Sequence, residues 1–299
     1  MSTIEKAAAR LATRQRGTRP PEPVPPAREV GPLRPAAGPP PTRFCDLDLE
    51  QLRQRGFLTP AAPRSALAQE MRRIKRPLLL NIQKAIATEA NGTAQPPANL
   101  IMITSALPGE GKTFVSINLA MSMAAELDRR VLLVDADIAR GDLSQQLGIH
   151  AERGLSDLLR ENSYLSEEGV LTTNVERLSV LPAGPVVDNV DELFASAQMA
   201  LIARALADAD PDRVIIFDAS PLLATTEAAV LAQRMGQTVM VVEANQTPQD
   251  AVGQALTQLD GCANVSLVLN KTTGKDAGGY GYGYGAYGQE TTTAAAEAD

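Results

Sequence analysis

A short apolar run, residues 100–104, leads into Ala106-Leu107-Pro108-Gly109-Glu110-Gly111-Lys112-Thr113, and a helical pattern follows over residues 113–127. The spacing is that of a P-loop, with Ala106 at the usual first glycine, set between strand and helix as that loop requires. Glycines 109 and 111 let the backbone curl so that successive N–H groups converge on phosphate oxygens. The helix N-terminus adds its positive end. Lys112 is placed to reach the β- and γ-phosphates, and the Thr113 hydroxyl to ligate Mg²⁺. The nucleotide-binding set is therefore Gly109, Glu110, Gly111, Lys112, Thr113 and Phe114.

Around this loop the chain alternates short apolar runs with longer helical patterns. The runs are residues 100–104, 131–134, 178–181, 214–217, 239–242 and 265–269, most of them Val, Ile and Leu without polar alternation. That composition suits strands buried on both faces. Helical patterns cover 113–127, 190–206, 226–233 and 249–259. The alternation predicts an α/β fold, a mostly parallel sheet with helices on both sides. Ligands in such sheets bind at the carboxyl ends of the strands.

Two runs end in acids: 131–134 in Asp135-Ala136-Asp137, and 214–217 in Asp218. Carboxylates beside a nucleotide-binding loop suit an Mg²⁺ site. Any one alone reads equally as a strand-exit cap, but three in one chain with a P-loop form a set.

Twelve of the 21 prolines fall in residues 1–63, and residues 1–90 carry a net charge of +8 against −15 for the remainder. Residues 1–64 are predicted to be a disordered, basic, proline-rich arm. It either meets a negative surface or partner or serves as a solvated linker. It has no aromatic residue among its basic ones before Phe44, which argues against nucleic acid. The body is predicted to span 65–273. It opens on a helix over 65–89, carried by Leu67, Met71, Ile74, Leu78 and Ile82, which Pro77 should kink or divide. Residues 274–299 read as a flexible Gly/Tyr-rich tail holding Tyr280, Tyr282, Tyr284 and Tyr287, four of the five tyrosines.

Several classes are excluded. No run of ~18 apolar residues predicts a transmembrane helix, and the first residues lack a signal-peptide pattern. Cys45 and Cys262 stand apart, outside any C-x-x-C, so neither a disulfide scaffold nor a cysteine-rich zinc site is expected, and a reducing cytoplasm fits. The single histidine, His150, reads as a surface residue.

Residues 106–113, 131–140 and 214–218, followed by a tyrosine cluster, resemble the Walker A, Walker A′ and Walker B motifs of the bacterial tyrosine kinases, the P-loop kinase class of exopolysaccharide systems. The resemblance covers about residues 65–288 and continues between motifs, for example in Gly154-Leu155-Ser156-Asp157-Leu158-Leu159 and Leu181-Pro182-Ala183-Gly184. Ile74-Lys75-Arg76-Pro77-Leu78-Leu79, Phe217-Asp218-Ala219-Ser220-Pro221-Leu222-Leu223 and Val242-Glu243-Ala244 are similar to the tyrosine autokinases encoded beside exosortase (PEP-CTERM) exopolysaccharide genes.

The resemblance implies a MinD/ParA-like P-loop fold and an enzyme that uses ATP and Mg²⁺ to phosphorylate its own Tyr280, Tyr282, Tyr284 and Tyr287, regulating exopolysaccharide biosynthesis and export. By position, Lys112 and Thr113 would bind phosphates and Mg²⁺, and Asp135 would accept the tyrosine proton. Asp137 and Asp218 would hold the metal. The wider P-loop class suggests an adenine contact after the last strand, at Asn270. Glu70, Arg73 and Arg76 fit the family's E-x-x-R-x-x-R, and their spacing places them on one helix face. The family uses that face to build a ring; a solvated helix with local ion pairs is the alternative. Implied partners are further copies of the chain, a membrane chain-length-determining activator and a tyrosine phosphatase, at the cytoplasmic side of the inner membrane. Two departures stand out. Ile138-Ala139-Arg140-Gly141 keeps one base and lacks the family's proline, and Ala219-Ser220-Pro221 replaces Thr/Ser-Pro-Pro.

The same fold also hosts partitioning and septum-placing ATPases, whose signature lysine stands where this chain has Leu107. A catalytically dead scaffold would need a broken site, yet Lys112, Thr113, Asp135, Asp137 and Asp218 are all present.

Overall fold

The computed structural model describes residues 43–61, 64–88, 96–161, 169–210 and 212–272. Its frame is one eight-stranded sheet: β1 (Arg43–Cys45), β2 (Leu100–Ser105), β3 (Arg130–Asp135), β4 (Leu171–Thr173), β5 (Leu178–Leu181), β6 (Arg213–Asp218), β7 (Gln237–Glu243) and β8 (Val265–Asn270). The order is β1-β4-β5-β3-β6-β2-β7-β8, and β4 against β5 is the antiparallel pair. The six predicted runs are all strands. All six residues of β2 are buried, as are the last five of β3 and of β6, so these strands need no polar face.

Alternate residues of the central strands enter two cores. Ile101, Ile103, Leu133, Ile216 and Val241 pack on one face against α2 (Ala66–Thr88) and α3 (Lys112–Ala124), preceded in the chain by α1 (Leu49–Gln54). Met102, Leu132, Val134, Phe217 and Met240 pack on the other. There they meet α5 (Leu155–Arg160), α6 (Val190–Ala195), α7 (Ala197–Asp208), α8 (Glu227–Ala232) and α9 (Gln249–Gln258); α4 (Asp142–Gln146) follows β3.

Register brings the chemistry together. β6 lies between β3 and β2, pairing Asp135 with Asp218 and Ile103 with Asp218. The P-loop leaves the end of β2, so it and both acids emerge side by side at one edge of the sheet.

Four expectations need correction. Residues 43–61, assigned to the arm on composition, belong to the body. Leu47, Leu52, Phe57 and Leu58 are buried in the first core, and Leu58 N–H donates to Asn118 Oδ1 at 2.6 Å. These apolar residues are too widely spaced to show a period among the surrounding charges. Helix α2 runs through Pro77 undivided. Pro77 is exposed, while Met71, Leu78 and Ile82 on both sides of it are buried, and their packing outweighs the roughly 3 kcal/mol an internal proline costs. The pattern over 190–206 is two helices. Ser196, extended at ψ 157°, ends α6 and caps α7 by accepting Met199 N–H at 3.3 Å. Helix α3 ends at Ala124, leaving Leu127 79% exposed. Strands β1 and β4 have only three residues each, too short to carry a pattern. Among the described residues no helix is long and apolar enough to cross a membrane. The tail tyrosines and the first 42 residues lie outside the described residues.

Candidate active site

The P-loop turns at Gly109 and Gly111, both at positive φ, +86° and +95°. A Cβ at Gly111 would run into the side-chain amide of Asn270, so glycine is required there for space as well as for backbone conformation. Gly111 caps α3 without a side-chain bond, which leaves the first N–H groups of the helix for an outside acceptor.

Lys112 is 6% exposed, and its ammonium lies 2.9 Å from Asp137 Oδ2 and 3.8 Å from Asp218 Oδ2. Burial pulls its pKa down, but Asp218 and Asp137 outweigh that and hold it above the usual lysine value. Thr113 Oγ1 donates to Asp218 Oδ2 at 2.8 Å, and Ser116 Oγ donates to Asp218 Oδ1 at 2.8 Å. Complete burial, the largest influence, nevertheless raises the Asp218 pKa.

Asp135 is arranged differently. Its Oδ2 accepts both the backbone N–H (2.9 Å) and the hydroxyl (2.7 Å) of Ser144, while its buried Oδ1 has no hydrogen-bond partner. Burial raises its pKa to about 6 against the opposing Ser144 bonds, with Asp218 and Asp137 adding to the rise. A buried carboxylate with one oxygen anchored and the other free is suited to accept a proton near neutral pH.

The predicted nucleotide residues divide into two groups. Gly109, Gly111, Lys112 and Thr113 face the cradle. The Glu110 carboxylate turns inward, accepting from Leu107 N–H at 2.6 Å, from Glu243 N–H at 3.3 Å and from the Thr247 hydroxyl. It ties the loop to the exit of β7. Asn270 donates to the Glu110 carbonyl at 2.8 Å, and Lys271 donates to the Gly109 carbonyl and to Glu243, both at 2.8 Å. The Phe114 ring packs on Phe57 at 5.2 Å, leaving only its backbone toward the loop. Leu107 packs against the second core.

Oxygen donors suited to a hard cation, Thr113, Asp137 and Asp218, converge beside Lys112. Among the described residues no cluster of three acidic, histidine or cysteine side chains forms a metal cage. An ion here would be completed by phosphate oxygens and water, the habit of Mg²⁺. Residues 110–113 and the three acids were legible in the sequence. Ser116, Ser144, Ser220 and Glu227 were not. Only Ser116, one turn on from Lys112, carried a signal, because i and i+4 share a helix face.

The P-loop at the end of β2, facing carboxylates at the ends of β3 and β6, defines a P-loop nucleotide-binding domain, and the family model described as an AAA domain matches residues 98–264. Within that class the chain belongs to the bacterial tyrosine-protein kinase family. It is 30% identical over 232 residues to tyrosine-protein kinase YwqD of Bacillus subtilis, covering 77% of this chain and 91% of the relative. It is 36% identical over 192 residues to the putative tyrosine-protein kinase EpsB of Ralstonia nicotianae, covering 64% of this chain and 25% of EpsB. The chain thus spans nearly all of one relative and a quarter of another. Among solved structures it resembles the chimerical protein CapA2B2 (TM-score 0.60, 26% identity, 78% of this chain and 94% of that one). It also resembles the kinase domain of Escherichia coli tyrosine kinase ETK (TM-score 0.55, 28% identity, 68% and 78%).

Proposed function

We propose that this chain is an ATP- and Mg²⁺-dependent protein-tyrosine kinase that phosphorylates its own C-terminal cluster, Tyr280, Tyr282, Tyr284 and Tyr287, between subunits. The observation that carries the reading is the pairing of a phosphate cradle with the half-anchored Asp135. The loop N–H groups and Lys112 hold the phosphates of ATP and oppose the charge that develops on them. Thr113, Asp137 and Asp218 would hold Mg²⁺, which when bound would supply Lewis-acid polarisation of the transferring phosphoryl group. The tyrosine oxygen bonds to the γ-phosphorus as the bond to the β-bridging oxygen breaks, ADP leaves, and the phenolic proton passes to Asp135. Leu107, which packs against the second core, offers no cation to a neighbour's phosphate, which weighs against a partitioning-type ATPase switch.

Tyr280 stands nine positions after Lys271 in the sequence. Lys271 itself touches the P-loop at the Gly109 carbonyl, so reach alone does not choose between the chain's own cradle and a neighbour's; a mixing experiment does. The test uses purified protein, Mg²⁺ and labelled ATP, mixing a Lys112→Met chain with an active chain whose four tail tyrosines are Phe. Label is expected on the tyrosines of the Lys112→Met chain. An unlabelled Lys112→Met tail, with wild type labelling itself, would overturn the between-subunit claim. Free phosphate alone would indicate an ATPase, and neither product a scaffold.

Glu70, Arg73 and Arg76 are exposed on α2, and Glu70 and Arg73 line a groove of about 560 Å³ against β8. They support assembly into a ring through this face. The triple change Glu70→Ala, Arg73→Ala, Arg76→Ala is expected to lower the molar mass measured by light scattering, and an unchanged mass would contradict the ring. Regulation of exopolysaccharide export, a membrane activator and a reversing tyrosine phosphatase complete the reading; they rest on the motif resemblance.

A further inference from the structure

Glu227 belongs to no motif of the chain. It stands in the first turn of α8, half-buried, with Oε1 3.1 Å from the Ser220 hydroxyl. The same hydroxyl lies 3.1 Å from Asp137 Oδ1, and Asp137 Oδ2 lies 2.9 Å from the Lys112 ammonium. Four groups thus run in a line from a solvent-reachable carboxylate to the lysine of the P-loop. We propose that Glu227 is a positioning residue of this site, acting through Ser220 to set the orientation of Asp137 toward Lys112 and the metal position.

The argument turns on proton counting. Asp137 is 1% exposed, so each of its oxygens needs a donor from the protein or from a ligand. Ser220 serves Oδ1, while Oδ2 lies 2.9 Å from the Lys112 ammonium as an ion pair and has no hydrogen-bond donor. A serine hydroxyl has one proton to give, and here two carboxylates compete for it. If Ser220 gives its proton to Glu227, Oδ1 of Asp137 faces oxygen lone pairs and the carboxylate is pushed out of line. If Glu227 supplies a donor of its own, Ser220 accepts it and turns its proton to Asp137, and each link between Glu227 and Asp137 then has a proton. Burial, the largest influence, raises the Glu227 pKa, with Asp137 and Asp191 adding and the Ser220 bond opposing. Without Glu227 the Ser220 hydroxyl keeps a proton for Asp137 but loses the partner that fixes its rotation. Ser220 itself is 1% exposed, so water does not readily replace either partner.

This inference rests on the phosphoryl-transfer reading of the site, and its test separates the two. The parent, Glu227→Ala, Glu227→Gln, Ser220→Ala and the Ser220→Ala/Glu227→Ala double variant are compared. Three readouts are used: fluorescence titration with a non-hydrolysable fluorescent ATP analogue with and without Mg²⁺, steady-state phosphoryl transfer, and the thermal midpoint. Glu227→Ala is expected to weaken Mg²⁺-dependent nucleotide affinity and turnover by about tenfold, the scale of one coupled hydrogen bond. Binding without Mg²⁺ should stay at the parent value. Glu227→Gln, whose amide can donate to Ser220, should remain within about threefold of the parent. In the Ser220→Ala background, loss of Glu227 should cost less than about twofold more, because the path is already cut. Independent, multiplying effects of the two alanines would overturn the proposal. So would a glutamine variant as impaired as the alanine, or losses that only follow the thermal midpoint. A parent chain that binds no nucleotide would overturn the kinase reading, and this inference with it.

Discussion

Lys112→Met is expected to abolish phosphoryl transfer and to destabilise the nucleotide-free chain. Removing one preorganised group that opposes transition-state charge typically costs ~10²–10³ in turnover. The structural cost arises because Lys112 is the ammonium between Asp137 at 2.9 Å and Asp218 at 3.8 Å, in a setting where both acids are almost fully buried. Removing one member of a buried pair strands the other, at about 3 kcal/mol or more. The sign with pH follows. Lys112 holds the Asp218 pKa down against burial, so without it the acid takes up a proton more readily in the folded state. The destabilisation is therefore greatest at neutral pH and shrinks as pH falls. Chemical denaturation followed by circular dichroism at two pH values measures this, beside a phosphotyrosine assay under conditions where the variant is folded. Normal turnover in the folded variant would refute the site, and a pH-independent stability loss would refute the electrostatic account.

Asp135→Asn is expected to lose activity while gaining stability. In the proposed role of proton acceptor Asp135 must be ionised, so turnover should rise with pH through about 6, the value to which burial raises it. Loss of a positioned general base typically costs ~10²–10⁴. Folding responds in the opposite sense. A carboxyl with an unfolded pKa near 3.8 and a folded pKa of about 6 binds its proton more tightly when folded. Stability falls as pH rises between those values, and the full penalty is present above the folded pKa. A shift of this size corresponds to roughly 3 kcal/mol at most. Asparagine keeps an oxygen for the two Ser144 donors and turns an N–H toward the position of the unpartnered Oδ1. The variant should therefore unfold at higher denaturant than the parent at pH 7.5, with the gap closing toward pH 4. A variant less stable than the parent at pH 7.5 would show that the carboxylate is structural.

Much of the architecture was open to reading because the sheet is buried. A strand covered on both faces must be apolar throughout, and the runs around Ile103, Leu133, Ile216 and Val241 declare themselves by composition alone. The P-loop was equally plain, since a loop that wraps phosphate needs glycines at fixed places, and the φ values of Gly109 and Gly111 bear this out. Local grammar failed where packing overrode it. Pro77 reads as a helix breaker, yet buried Met71, Leu78 and Ile82 hold α2 continuous. Leu47, Leu52, Phe57 and Leu58 lie among charges without a period, and only the core they enter marks residues 43–61 as part of the body.

By itself the sequence determined which groups the site contains: the glycines, Lys112, Thr113 and the three aspartates, each set by its place at a strand end. Tertiary structure alone decided how they are held. Ser144 reaches Asp135 from α4, Ser116 and Thr113 share the oxygens of Asp218, and Glu110 is drawn inward to the β7 exit. Glu227 meets Asp137 through Ser220, which stands 83 positions after Asp137 in the chain. A hydrogen bond is specified by distance and direction in space, and partners on separate elements leave no spacing in the chain to read.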